Sequence, residues 1–132
     1  MTTYILPEGW KRPPGWSHGA LAESGRTLAV AGQFGWDPQT FEFVDGFVAQ
    51  WDAALRNVVA VVEAAGGKAT DVISLQVLVT DLANYNESRR ELGPGWGAAF
   101  GSHFPAITLY QVGGLVESKA LIEIEALAVI AQ

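Results

Sequence analysis

Two glutamates, Glu123 and Glu125, interrupt an otherwise apolar run at residues 120–130. Removing a carboxylate from water costs several kcal/mol unless it is paired, hydrogen-bonded or protonated, and this run contains no basic residue. A carboxylate in a pocket can act as a general acid–base or orient a water molecule. The alternative, which is stronger for Glu125, is that the carboxylate faces solvent or pairs with a cation of a neighbouring chain.

A second group of residues with binding chemistry is aromatic, and its members fall beside turns or at the ends of predicted elements. They are Trp16, Phe34, Trp36, Tyr85 and Trp96. Such aromatics can line a ligand pocket or simply cover the edge of a core, and the sequence leaves both interpretations open. Arg89 and Arg90 lie on a predicted helix, where a solvated helix face is the alternative to an anchor for an acid group.

Most familiar catalytic motifs are absent from the 132 residues. There is no phosphate loop, no paired-histidine metal helix and no Gly-x-Ser-x-Gly nucleophile motif. His18 and His103 lie far apart in sequence, whereas a transition-metal site usually needs three or more ligands. Because cysteine is also absent, a thiolate site and a disulfide framework are excluded, and we expect no metal site.

The chain is acidic, with a formal net charge of −6 and no cluster of Lys or Arg. Binding to nucleic-acid phosphates is therefore disfavoured. The start of the chain lacks the basic and apolar regions of a signal peptide, and no apolar run approaches the length of a membrane span, so we expect a cytoplasmic protein without a membrane partner. The hydrophobic fraction of 49% predicts that some apolar surface is buried against other copies of the chain.

The elements that must position these side chains begin with a predicted hairpin. Residues 1–14 read as an irregular arm, and residues 17–22 and 27–33 read as strands joined by a turn at Ser24-Gly25-Arg26. The next segment, 35–41, reads as a loop because glycine, aspartate and proline are concentrated in it.

Two helices follow from the spacing of apolar residues. The first covers about 47–65, with Asp45 as its cap and Gly66-Gly67 as its end. The second runs from about Asn84 towards Leu92, is interrupted by Gly93-Pro94-Gly95, and resumes over 96–100. Further strands are predicted at 71–80, 106–112 and 120–130.

The resulting order, β-β-α-β-α-β-β, predicts a single α+β domain over 1–132. Both helices would cover one face of one sheet. Since the last strand is apolar on both faces, apart from its two glutamates, the second face must also be covered. Association of several copies is the simplest cover.

Taken together, these pieces resemble the RidA/YjgF family over nearly the whole chain. The segments that carry the resemblance are Leu28-Ala-Val-Ala-Gly-Gln33, the helix from Gln50 through Asn57 to Gly66, Asp71-Val with Val77-Leu-Val-Thr-Asp-Leu82, Phe104-Pro-Ala106, and Glu123-Ile-Glu-Ala-Leu-Ala-Val129. No single segment is decisive, but five in the same order and spacing are specific.

The resemblance implies a chorismate-mutase-like fold with one mixed sheet. It implies a homotrimer in which three sheets close into a central barrel, with small-molecule clefts between subunits. It also implies hydrolysis of reactive enamines and imines, such as 2-aminoacrylate, to a 2-keto acid and ammonia, without a metal or organic cofactor.

Several site positions depart from the family pattern. The arginine that grips the substrate carboxylate is replaced by Ile107, a tyrosine by Trp16 and a serine by Ala31, whereas the water-positioning carboxylate is retained as Glu123. Losing a charged hydrogen-bonded pair costs roughly 2–5 kcal/mol. We therefore expect poor activity on small 2-imino acids. Arg89, at a position where the family often has asparagine, is the expected substitute cation.

The sequence thus favours a hydrolase or deaminase that acts on an enamine, an imine or an unsaturated acid, such as a product of aromatic ring cleavage. Glu123 is the predicted catalytic residue. The predicted substrate-binding residues are Arg89, Trp16, Phe34, Trp36, Tyr85, Ile107 and Gln111. The alternative is a non-catalytic trimer that binds a metabolite or a partner protein. RNA cleavage, which is reported in the family, is disfavoured by the acidic composition.

Overall fold

The computed structural model describes residues 2–132, and this part of the chain contains eight strands, two α-helices and one short 3₁₀ turn. In chain order they are β1 (Thr2–Ile5), β2 (Gly19–Ala22), β3 (Arg26–Phe34), β4 (Trp36–Asp37), β5 (Glu42–Phe43), α1 (Phe47–Ala64), the 3₁₀ turn (Ala69–Asp71), β6 (Val72–Val79), α2 (Leu82–Phe100), β7 (Ala106–Gln111) and β8 (Ile122–Ile130). The predicted α+β fold is confirmed.

One mixed sheet is at the centre of the fold, with the strand order β3-β8-β6-β7. β8 pairs antiparallel with both β3 and β6, and β6 pairs parallel with the edge strand β7. The parallel pair is possible because α2 connects its two strands, as a parallel connection requires. The strand that carries both glutamates is therefore central in the sheet.

The predicted hairpin between 17–22 and 27–33 is wrong. β2 pairs antiparallel with β1, in a stretch that was expected to be an irregular arm, and β3 pairs with β8. A strand pairing over a long sequence distance cannot be read from a local turn signal, because only the folded chain brings β8 next to β3. The predicted loop at 35–41 contains the short strand β4, which pairs with β5 directly after the loop.

The helices follow the predicted pattern with two differences. α1 is capped by Gly46 rather than Asp45, and the Gly46 φ of 91° is accessible to glycine without strain. α2 continues through Pro94, where an interruption was expected. Leu92 and Phe100, on either side of this proline, are both buried, so packing at both ends of the segment offsets the hydrogen bond that proline cannot make.

The core lies between the helices and one face of the sheet. Alternation along β8 places its even-numbered residues on this face, and all five are buried: Ile122, Ile124, Ala126, Ala128 and Ile130. The opposite face of the sheet is open in a single chain, since Leu127 on it is 43% exposed. Both faces of β8 carry the predicted apolar residues, but within one chain only the face with the even-numbered residues is covered.

Candidate functional site

A cavity of about 820 Å³ lies on the helix side of the sheet, between α2 and the edge strand β7. Four residues predicted to bind substrate line it together: Trp16, Tyr85, Arg89 and Ile107. These residues come from three separate parts of the chain. The fold therefore brings two of the four predicted aromatic binding residues to one place with Arg89 and with Ile107, the position of the family arginine.

Trp16 is held at the cavity by its neighbour Ser17. The Ser17 amide donates to the Pro105 carbonyl at 3.1 Å, and its hydroxyl donates to the Phe104 carbonyl at 2.6 Å. Ser17 also forms an isolated parallel bridge with Ala106, directly before Ile107. The segment that precedes β2 is thus fastened to the start of β7, and Trp16 covers the edge of the cavity.

Arg89 is positioned by two neighbours on α2. Its guanidinium carbon lies 5.0 Å from the centre of the Tyr85 ring, and its Nη2 donates to the Asn86 Oδ1 at 3.1 Å. Both partners are one helical turn away, so they lie on the same helix face. One hydrogen bond leaves most of the five guanidinium N–H donors available to a carboxylate.

The cavity lining is one-sided in charge. Arg89 is the charged residue of the lining, which otherwise consists of apolar residues and small or neutral polar residues and contains no aspartate or glutamate. A cation in an aromatic, apolar pocket attracts an anion and provides no counter-charge of its own. The lining therefore suits an acid with a large apolar body.

Glu123 lies on the other face of the sheet. In register, it pairs with Phe34 on β3 and with Leu78 on β6, whereas Ile107 shares the row of Leu75 and Ala126 that faces the helices. Within one chain, the predicted catalytic carboxylate is thus separated from the cavity by the sheet itself.

The surroundings of Glu123 change its acidity. Burial raises the pKa of the Glu123 carboxyl, and the negative charge of Glu125 raises this pKa further. Gly32 on β3 leaves room for the side chain, because a Cβ atom there would come within 2.5 Å of the Glu123 carboxyl carbon. Gly32 falls where the β3–β8 register shifts, between Val30 and Gln33.

The structure places three other predicted binding residues outside the cavity. Phe34 and Trp36 belong to an aromatic cluster with Phe43, with ring centres 5.0–5.8 Å apart. The Gln111 Oε1 accepts a hydrogen bond from the Leu82 amide at 3.0 Å, at the start of α2. In a single chain these side chains pack and cap rather than line the cavity.

Three further aromatic residues line the cavity although they were not among the predicted binding residues. Trp51 fitted the helical core pattern of α1, Trp96 belonged to the aromatic group that could line a pocket or cover a core, and Phe104 was part of a family motif without a role. The usable signal was the position of Trp96 within the glycine-rich part of α2, Gly93-Pro94-Gly95-Trp96-Gly97. It became meaningful only when α2 proved continuous.

Within residues 2–132, no cluster of three or more His, Cys, Asp or Glu side chains could hold a metal ion. The described helices also include none that is both long and apolar enough to cross a membrane. His103 is buried, and both of its ring nitrogens have hydrogen-bond partners. Its Nε2 donates to the Val72 carbonyl at 2.7 Å, and its Nδ1 lies 2.5 Å from the Tyr4 hydroxyl.

Comparison with known proteins supports the resemblance. A family model described as Endoribonuclease L-PSP matches residues 11–130. The chain is 36% identical to the human 2-iminobutanoate/2-iminopropanoate deaminase over 105 residues, which are 79% of this chain and 73% of that protein.

Two solved structures extend the similarity to the fold. A protein of unknown function of the Rid family from Yersinia pestis matches with a TM-score of 0.82 at 32% identity, over 98% of each chain. Escherichia coli TdcF, solved with bound serine, matches with a TM-score of 0.70 at 28% identity, over 98% of this chain and 99% of that one. The chain therefore belongs to the Endoribonuclease L-PSP family, which is also called RidA/YjgF.

Proposed function

We propose that this protein hydrolyses an enamine, an imine or an unsaturated acid whose carboxylate binds Arg89, and that it is not an efficient 2-aminoacrylate deaminase. One observation carries the proposal: Arg89, Trp16, Tyr85 and Ile107 meet at one cavity. The human relative is named as a deaminase of 2-iminobutanoate and 2-iminopropanoate, which supports the same class of reaction here. TdcF with bound serine supports a small-molecule ligand.

Glu123 enters this proposal through a neighbouring copy of the chain. The sheet separates Glu123 from the cavity of its own chain, while the open face of the sheet provides a surface for association. In a homotrimer, the open face of one copy would pack against the β7 edge of the next. Each cleft would then combine Arg89 of one copy with Glu123 of another.

The reaction needs little from the protein beyond placement and proton transfer. A water oxygen bonds to C2 of the imine, both protons of this water are transferred to the imine nitrogen, and the carbon–nitrogen bond breaks, so that ammonia leaves and a 2-keto acid remains. Glu123 would orient the water and accept its proton. Its raised pKa suits this role, because a carboxyl group that titrates closer to neutral pH can both accept and return a proton.

Hydrolysis can be tested with imines that an amino-acid oxidase produces in the assay. We expect Glu123→Gln to lower kcat by about 10²- to 10⁴-fold, the usual contribution of a general acid–base. Glu117→Gln is the control, since it removes the same charge from an exposed position on the connection between β7 and β8. An unchanged rate in Glu123→Gln, with the oligomer intact, would rule out the catalytic assignment.

A second candidate function is binding without turnover. Ile107, at the position of the family arginine, favours it, because a pocket that has lost its main carboxylate contact can retain binding after losing catalysis. Thermal stabilisation by aromatic acids, with no product from any imine, enamine or unsaturated acid, would support this candidate and exclude the hydrolase.

A further inference from the structure

The cavity wall has more aromatic surface than a three- or four-carbon imino acid can cover. Five of its residues are aromatic: Trp16, Trp51, Tyr85, Trp96 and Phe104. The volume of about 820 Å³ lies within the range of roughly 300–1,000 Å³ that is typical of pockets for drug-sized ligands. A short aliphatic ligand would leave most of these rings without a partner.

Trp96 provides a rigid surface in this wall. Its ring stacks on Phe100 with centres 4.7 Å apart and planes 21° apart, and it lies 6.0 Å from Phe104 with planes 10° apart. Near-parallel rings at these separations attract one another. A flat ligand ring could therefore pack against the cavity wall without rearranging this stack.

We propose that this cavity selects 2-imino acids whose side chain is an aromatic ring, in preference to short aliphatic ones. The inference rests on the proposed hydrolase function and names its substrate class. The carboxylate binds Arg89, and the ring packs against Trp16 and Trp96. Hydrolysis itself is unchanged, because the ring stays intact while the carbon–nitrogen bond breaks.

The test compares imines formed by an L-amino-acid oxidase from alanine, phenylalanine and tyrosine. We expect kcat/KM to be at least about tenfold higher for either aromatic imine than for the alanine-derived one, in line with pocket discrimination between apolar groups. Trp16→Leu should reduce this ratio. We expect this variant to fold like wild type, because the Trp16 side chain is 38% exposed. Trp10→Leu is the control, since Trp10 is 57% exposed and lies outside this cavity.

Failure of the inference and failure of the hydrolase proposal give different results. Hydrolysis with the alanine-derived imine equal to or better than the aromatic ones would overturn the selectivity and leave the hydrolase standing. If no imine, enamine or unsaturated acid is hydrolysed, the hydrolase proposal fails. Calorimetry with 3-phenylpropanoate, 3-(4-hydroxyphenyl)propanoate and butanoate then decides: tighter binding of the aromatic acids supports the selectivity, and equal affinity overturns it.

Discussion

At the scale of single residues, neighbouring positions of the same type differ because of what surrounds them. Glu123 is half-buried against Gly32, whereas Glu125 is exposed and pairs in register with Gln76. Arg89 lines the cavity, whereas the adjacent Arg90 does not. Arg89 and Arg90 therefore provide a variant and its own control.

The raised pKa of Glu123 predicts how its replacement affects stability. The folded chain holds this proton to a higher pH than the unfolded chain does, so the charged carboxylate destabilises the fold above that pH, and the penalty disappears as the pH falls below the unfolded pKa of about 4.3. We therefore expect Glu123→Gln to gain stability relative to wild type at pH 8 and to lose this gain near pH 4.

Thermal unfolding at the two pH values measures this difference. Glu117→Gln removes the same charge from an exposed part of the connection between β7 and β8, and serves as the control. If Glu123→Gln were stabilised relative to wild type by the same amount at pH 4 and pH 8, the charge of the Glu123 carboxylate would not be the cause.

Arg89→Gln should weaken binding of a carboxylate ligand. A hydrogen bond to a charged group contributes about 1.5–3 kcal/mol, so we expect kcat/KM, or the affinity for an aromatic acid, to fall by about 10- to 100-fold. Arg90→Gln makes the same change at the next position of α2. If Arg90→Gln caused the larger loss, Arg89 would not be the anchor.

At the scale of elements, α2 shows how packing overrides a local signal. Gly93-Pro94-Gly95 is a helix-breaking sequence, yet the helix runs through it to Phe100. Gly95 allows α2 to lie close to α1, since a Cβ atom at this position would come 2.6 Å from the Asp52 Cγ. The sequence that weakens the helix also allows the two helices to approach.

Two glycines of α2 should therefore respond oppositely to alanine. Gly97→Ala should stabilise the protein by about 0.5–1 kcal/mol, because a Cβ atom there has no neighbour within 4 Å and alanine favours the helix. Gly95→Ala should destabilise it, because its methyl group would collide with Asp52. Urea unfolding of both variants measures the difference, and stabilisation by Gly95→Ala would contradict the close packing.

At the scale of the whole molecule, the open face of the sheet and the position of Glu123 lead to one expectation. The face carries the exposed Leu127 on its central strand β8, and it also carries the carboxylate that the cavity of the same chain cannot reach. Association through this face would cover apolar surface and complete the site in one step.

We expect the protein to sediment at three times its chain mass of 14.1 kDa. Leu127→Asp should dissociate this assembly and abolish activity, since a charge on the covered face has no partner. Val116→Asp is the control, because Val116 is 87% exposed and lies on a connection. A monomer that is fully active would contradict both the trimer and the shared site.

The amino-acid sequence was sufficient for the fold class, the helix positions and the buried face of β8. These features depend on periodicity along one segment, and every residue of the predicted face proved buried. It was insufficient for the β1–β2 pairing and for the continuity of α2. Both depend on partners distant in sequence, and their packing outweighs a local turn or a proline.

For the candidate site, too, the sequence was sufficient for some features and the tertiary structure was needed for others. Residue types and spacing singled out Glu123, Arg89, Trp16 and Tyr85, and the family resemblance added Ile107. The tertiary structure decided that the last four share one cavity and that Glu123 lies behind the sheet. Alternation along a strand assigns a residue to one face of a sheet, but only the folded chain determines which elements meet at that face.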